Sequence, residues 1–255
     1  MIKEEELVST GIEKLDQLLE GGIPKGFTML ILGTPGSSTE ILIKQIATVG
    51  KILYFTTEET EQEVLDTMTR FGWAIPTIEF VDISAKYYQN VLKGENKRVS
   101  IYEQRSKLKL KELIEIGSTA VPTTIKGEED FLAILSNQVK QASSEKIIIN
   151  SLDFFLSQYP QEEVLKTIYA SKISNLKNKT ALMIVMTKGI HGDLFEKKME
   201  SLADCVLELN VIQKGSAFER FLSVKKMRNY AKKIGIARYA IDDGGFVLEM
   251  IERIM

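Results

Sequence analysis

The sequence predicts an α/β fold: a mostly parallel central sheet with helices on both faces and antiparallel strands towards the C-terminus. Three observations carry this expectation. Short apolar runs such as Phe27 to Leu32 and Ile147 to Ile149 read as buried strands. They alternate along the chain with stretches whose apolar residues recur at helical spacing, the order that builds parallel sheets. Turns containing glycine separate the two kinds of segment.

Taken in order, Ser9-Thr10-Gly11-Ile12 precedes Leu15, Leu18 and Leu19, a short amphipathic helix with hydroxyl residues for its N-cap. Gly21-Gly22-Ile23-Pro24 ends it. Phe27 to Leu32 is the first core strand, Gly33 to Glu40 a turn, and Ile41 to Val49 a helix. Lys51 to Thr56 is a second strand, with Glu58 and Glu59 at its C-terminal end, and a helix then runs through Phe71-Gly72-Trp73. Ile78 to Ile83 is a third strand.

Residues 85–127 form a possible insertion or elaboration. Within them Lys107-Leu108-Lys109-Leu110-Lys111 alternates at period two, an exposed strand with lysines on one face, for which a helix is the rival. Helical spacing returns from Glu128 to Ala142, and Lys146 to Asn150 is a buried strand. A helix from about Gln161 to Leu176, a strand from Ala181 to Met186, a polar loop through His191-Gly192-Asp193, another helix and a strand from Cys205 to Val211 follow. Phe218 to Met227 and Ala237 to Val247 read as antiparallel strands joined by the basic loop Arg228 to Gly235, with Asp242 to Gly245 as a turn. Val247 to Met255 closes the chain. No internal repeat or linker is visible, so residues 1–255 are expected to form one domain.

The chain has 255 residues, 44% of them apolar, enough for a sizeable core. A formal net charge of −2 gives no global attraction to nucleic acid. Cys205 is the lone cysteine and His191 the lone histidine, which excludes a disulfide framework and metal clusters built on either residue type. Neither a secretion signal nor an apolar run of about 20 residues is present, so a cytoplasmic protein with no membrane partner is expected. Trp73 is expected to pack against the core.

The turn Gly33-Thr34-Pro35-Gly36-Ser37-Ser38-Thr39-Glu40 occupies the place of a phosphate-binding loop, G-x-x-x-x-G-K-[ST]. Ser38, Thr39 and Glu40 stand where glycine, lysine and the magnesium-binding hydroxyl belong. A charge-assisted hydrogen bond is worth about 1.5–3 kcal/mol, so the missing lysine alone weakens triphosphate binding by roughly one to two orders of magnitude. Ser38 adds a Cβ where backbone should approach phosphate. Glu40 adds a negative charge, and at a helix N-terminus it is expected to act as an internal anion in place of phosphate.

Several stretches together resemble the RecA superfamily, most closely its KaiC-like and RadA-like branch. Ser9 to Ile12, Leu15 and Gly21 to Gly26 are similar to the family's lead-in, Gly33 to Ser37 to the first half of its phosphate loop, and Tyr54 to Glu59 to the strand delivering its catalytic glutamate. Arg70 to Trp73 resembles the end of the following helix. Lys146 to Ser151 resembles the Walker B strand, with Asn150 where the family carries aspartate. Val224 to Arg228 resembles the family's Lys-x-Arg finger, which reaches a neighbouring subunit's nucleotide. The resemblance spans roughly residues 8 to 250 and implies a RecA-like P-loop core with degenerate Walker A and Walker B motifs.

On that resemblance Glu58, Glu59, Lys226 and Arg228 are vestigial catalytic candidates, and Gly33 to Glu40 with Asn150 form a degenerate nucleotide site. Asn150 is a poorer partner than aspartate for hydrated magnesium. Phosphoryl transfer rests on positioning and charge neutralisation, so catalysis should suffer more than binding. The expectation is a pseudo-ATPase, with no metal or cofactor and at most weak ATP and magnesium binding. It would regulate or scaffold through a protein or peptide partner and could form a homo-oligomer.

Two other readings stay open. One is an ATPase with an unconventional loop. The other is a DNA-binding accessory factor, using the basic run Lys93, Lys97, Arg98, Arg105, Lys107, Lys109 and Lys111, with Lys225, Lys226, Arg228, Lys232 and Lys233. The bland alternative for that run is a solvated face.

Overall fold

The structure, a computed structural model, describes residues 6–92, 129–229 and 235–249. The basic run from Lys93 to Lys111, its alternating strand, and Lys232 and Lys233 lie outside the described residues.

Each apolar run becomes a strand because both of its faces are covered. In β3 (Thr28–Gly33) every residue is buried. Met29 and Ile31 join the core on one face of the sheet, while Leu30 and Leu32 join the core on the other. This is the period-two alternation of a strand between two layers. The same division recurs in β4 (Ile52–Thr56), β6 (Lys146–Asn150) and β7 (Ala181–Thr187).

β3, β4, β6 and β7 join β5 (Ile78–Asp82), β8 (Cys205–Lys214), β9 (Ala217–Met227), β10 (Ile236–Asp242) and β11 (Gly245–Glu249) in one nine-stranded sheet, ordered β11-β10-β9-β8-β3-β7-β6-β4-β5. The strands from β8 to β5 in that order pair in parallel, and β9, β10 and β11 are antiparallel. A two-stranded sheet, β1 (Leu7–Val8) with β2 (Ile23–Pro24), brackets α1 (Glu13–Leu18).

One face carries α1 and α2 (Thr39–Ile46), with Val64 and Met68 of α3 (Glu61–Arg70) in the same core. The other carries α4 (Phe131–Gln141), α5 (Asp153–Gln158), α6 (Gln161–Asn178) and α7 (Asp193–Leu202). α3 starts at a capping box in which Thr60 and Glu63 satisfy each other's backbone amides, a pairing worth about 1 kcal/mol. Residues 83–92 are helical. Among the described residues no helix is long and apolar enough to cross a membrane.

The parallel sheet, its antiparallel extension and most element positions agree with the sequence-based expectation. The differences are local. β8 continues to Lys214 and turns back at Gly215 into β9, so the two strands form a ribbon that runs beyond the level of Gly33. The turn expected at Asp242 to Gly245 is present and joins β10 to β11. α5 carries no long periodic pattern and was not anticipated. Cys205 is buried, and its thiol is pushed up to about 12 chiefly by burial, with the Asp204 charge adding to it.

Glu208, beside the end of β3, belongs to an ionic network on β8 and β9. Burial pushes its carboxyl up, but hydrogen bonds from Lys188, Asn210 and Lys225 outweigh that and hold it at about 2, against an ordinary 4.5. A folded value below the unfolded one means that this contribution is complete above about pH 4.5 and is lost as pH falls towards 2. Acid unfolding followed by circular dichroism should therefore begin at higher pH in Lys188→Met than in the native chain.

Candidate functional site

The loop that follows β3 is held from below and from the side. The Thr34 amide donates to the Leu209 carbonyl at 3.0 Å, the Lys188 amide donates to the Gly33 carbonyl at 2.9 Å, and the Ser37 amide closes a turn on the Thr34 carbonyl at 3.0 Å. Gly36 takes φ +81° in that turn, which suits glycine. Ser38 then takes a left-handed conformation, φ 57° and ψ 37°, and α2 begins at Thr39. Backbone geometry thus follows the frame expected of a phosphate loop, with serine held in a conformation that costs a non-glycine residue about 1–2 kcal/mol.

The space inside the loop is occupied. Ser37 Oγ and Thr39 Oγ1 share a hydrogen bond of 2.8 Å, both residues being buried, and they lie directly over Gly33. A Cβ on Gly33 would stand 1.9 Å from Thr39 Oγ1 and 2.7 Å from Ser37 Oγ. From the far end of the chain, the Tyr239 hydroxyl donates to the Ser37 carbonyl at 2.6 Å, and its ring stacks on Phe246 with centroids 4.4 Å apart. Burial pushes the Tyr239 phenol well above its ordinary value, so it remains a donor at any physiological pH. Tyr239→Phe removes that donor from a buried carbonyl and should cost about 1–2 kcal/mol in chemical denaturation, with faster hydrogen exchange at Ser38 and Thr39.

Beyond the C-terminal ends of the strands, the expected acidic candidates separate. Glu58 accepts a hydrogen bond from Ser151 Oγ at 2.8 Å and faces the loop. Glu59 turns away into an ion pair with Lys44 of α2, a lysine only 3% exposed. Asn150 lies at the end of β6 and donates from Nδ2 to the Tyr54 hydroxyl at 3.1 Å. Tyr54 is fully buried, and burial, then the Glu59 charge, raise its phenol far above the ordinary range against a smaller opposing effect of Asn150.

Sequence reasoning did not single out Asp153 or Thr187, both of which line the site. Asp153, in the first turn of α5, accepts from the Thr187 amide at 3.0 Å, from Thr187 Oγ1 at 2.6 Å, and bonds His191 Nε2 at 2.6 Å. The polar loop containing His191 is therefore tied to the crevice through Asp153. The available signal was Asp153 itself, three residues beyond Asn150 and just past a buried strand.

A cavity of about 120 Å³ lies between these groups. Among the described residues Glu40, Glu58 and Asp153 line it, and no lysine or arginine does. Glu40 is exposed at the rim; the structure gives it no hydrogen bond to a loop amide, so the internal-anion role expected from the sequence finds no contact here. Among the described residues no group of three His, Cys, Asp or Glu side chains is arranged to hold a metal ion. Ligand pockets for drug-sized molecules run to about 300–1,000 Å³, so this cavity is small by comparison.

Lys226 and Arg228 are not part of this crevice. β9 runs antiparallel to β8, which sets Met227 opposite Cys205 and Cys205 beside Met29, at the opposite edge of the sheet from Gly33. The separation along the strands alone is roughly 13 Å at about 3.3 Å per residue. Lys226 Nζ donates to the Glu200 and Ser201 carbonyls at 2.9 Å each, capping α7, and Arg228 pairs with Asp204 at 3.1 Å. Within one chain they hold an edge of the fold together.

Comparison with known proteins agrees with this architecture. The chain is 17% identical to a KaiC-like protein from Pyrococcus horikoshii OT3 of known crystal structure, with a TM-score of 0.68 over 96% of this chain and 99% of that one. It is 22% identical to a UPF0273 protein from Thermotoga maritima, covering 94% of this chain and 95% of that protein. It is also 21% identical to the circadian clock oscillator protein KaiC of Synechococcus elongatus over 92% of this chain, which spans 43% of that longer protein. The family profile described as "ATPase: KaiC" matches residues 8–253, and the chain belongs to that family.

Proposed function

We propose that this KaiC-family domain does not turn over ATP and acts as a regulatory or scaffolding protein through protein contacts. The observation that carries the reading is the crevice itself: among the described residues three carboxylates and no cationic side chain line it, and Ser37 and Thr39 are paired and buried in the loop. At an effective dielectric of about 20, a carboxylate about 6 Å from a phosphate charge costs roughly 3 kcal/mol, and no described lysine lines the crevice to offset it. The residues present do not fit a magnesium triphosphate. Glu59 and Lys44 satisfy each other, and Asn150 is engaged with Tyr54, so both serve the fold.

Glu58, still aimed into the crevice from the end of β4, favours the second reading, an ATPase with an unconventional loop. Phosphate release from ATP with magnesium separates the two. The proposal expects release indistinguishable between native chain and Glu58→Gln. Turnover that Glu58→Gln abolishes would establish the second reading.

A further inference from the structure

Charge is sorted across the sheet. Glu40, Glu58 and Asp153 line the crevice beyond the C-terminal ends of the strands, and lysines gather at the opposite edge. There the starts of β3, β7, β6 and β4 lie level, since Thr28 stands opposite Leu182, and Lys146 opposite both Ala181 and Ile52. Lys25 precedes β3, Lys177 and Lys179 precede β7, Lys140 stands in the last turn of α4, and Lys51 precedes β4; all five are exposed. Hydrogen bonds knit these segments together. The Gly26 amide donates to the Thr180 carbonyl at 2.9 Å, Asn178 Nδ2 to the Lys140 carbonyl at 3.4 Å, and Lys51 Nζ to Ser143 Oγ at 3.0 Å. Three inter-strand spacings make the row roughly 14 Å long from β3 to β4.

Two exposed carboxylates share this edge: Glu145, one residue before β6, and Glu6, whose carbonyl accepts from the Lys25 amide at 2.8 Å. Among the described residues none of the five lysines is in an ion pair. Further along, Lys172 and Arg228 are both paired with Asp204. The helix dipole accounts for Lys140 and Lys177, in the last turns of α4 and α6. It does not account for Lys25 and Lys51, which stand outside helices. Lys179 holds the C-cap of α6 at φ 54° and ψ 38°, a left-handed position that glycine fills at lower cost.

An apolar contact lies beside the lysines. Leu176, 65% exposed, sits over Gly26, where an added Cβ would stand 3.1 Å from Leu176 Cδ1, and Ile173 is exposed one turn before it. The row itself holds lysines alone as cations and no aromatic ring, whereas arginine forks and stacked rings are what grip a nucleic acid. We propose that this edge docks an acidic segment of a partner protein, its carboxylates facing Lys25, Lys51, Lys140, Lys177 and Lys179 and an apolar side chain covering Leu176. Such docking rests on the reading that the chain works through protein contacts, and it uses no residue of the crevice. Exposed ion pairs contribute little singly and are screened by salt, so the contact is weak and salt-sensitive.

Fluorescence anisotropy of a fluorescein-labelled peptide of glutamates interspersed with leucines, titrated with the full chain at low salt, tests the assignment. The native chain should bind the peptide, more weakly as salt rises, and Lys177→Glu/Lys179→Glu should raise the dissociation constant by about tenfold or more. Lys140→Glu should act in the same direction, Leu176→Ser should weaken binding at every salt concentration, and Lys198→Glu on α7 should leave it unchanged. These positions are exposed, and unchanged circular dichroism would confirm folding. No binding by the native chain, an affinity indifferent to Lys177→Glu/Lys179→Glu, or tighter binding of oligothymidylate than of the peptide would each overturn the proposal. ATP turnover by the native chain would instead overturn the reading of the crevice and leave the peptide affinity as it is.

Discussion

Substituting Ser38→Gly, Thr39→Lys, Glu40→Thr and Asn150→Asp together should raise affinity for ATP with magnesium by at least about two orders of magnitude over the native chain, measured by calorimetric titration. Four effects add in one direction. The new lysine supplies a charge-assisted hydrogen bond, and Glu40→Thr takes away one of the three carboxylates around the cavity, while the carboxylate added by Asn150→Asp is a partner for hydrated magnesium. Losing Thr39 breaks its hydrogen bond to Ser37 and clears the space over Gly33. Glycine at position 38 relaxes a left-handed residue that is already in place, so the loop need not be rebuilt. Thr39→Met empties the same hydrogen bond without adding charge and should gain little. The comparison separates a loop that lacks chemistry from one that lacks room.

Gly33→Ala should destabilise the fold by about 3 kcal/mol, lowering the thermal midpoint by roughly 6–12 °C in a chain of this size. The added methyl would meet Thr39 Oγ1 at 1.9 Å and Thr39 Cβ at 3.1 Å, and these atoms belong to a buried, short side chain at the start of α2. Ser37, the other neighbour, is fixed by Tyr239. Thr39→Ala in the same chain removes the nearest atom and should restore part of the loss, a coupling that a double-mutant cycle detects. Gly36→Ala is the control: nothing lies within 4 Å of its new methyl, and only the positive φ is penalised, at about 1 kcal/mol.

The parts of the fold that could be read from the residues are those governed by local pattern. The interiors of β3, β6 and β7 are apolar because layers cover both faces, and such runs carry their own signature. The frame of the loop was legible for the same reason, being a strand, a glycine turn and a helix in succession. Asn150 was placed at the crevice because β6 ends there. What escaped depends on contacts between distant segments. Tyr239 reaches Ser37 across 202 positions, His191 reaches Asp153 across 38, and Lys44 selects Glu59 over Glu58 from a neighbouring helix.

The same distinction applies to Lys226 and Arg228. Sequence order sets them in a finger-like motif, but the antiparallel pairing of β9 with β8 decides which edge of the sheet they occupy. That edge lies away from the chain's own loop, where Lys226 donates to carbonyls of α7 and Arg228 to the Asp204 carboxylate. Burial pushes the Asp204 carboxyl up, but hydrogen bonds from Lys172, the Thr28 amide and Arg228 outweigh it and hold the group below its ordinary range. Arg228→Ala should accordingly destabilise the fold in chemical denaturation at neutral pH, by a difference that shrinks as pH falls through the depressed Asp204 value.

Calorimetric titration of the native chain with ATP and magnesium tests the central claim most directly. A crevice lined by carboxylates, with Ser37 and Thr39 paired over Gly33, predicts no saturable heat up to millimolar nucleotide, whereas one-to-one saturation in the micromolar range would contradict it.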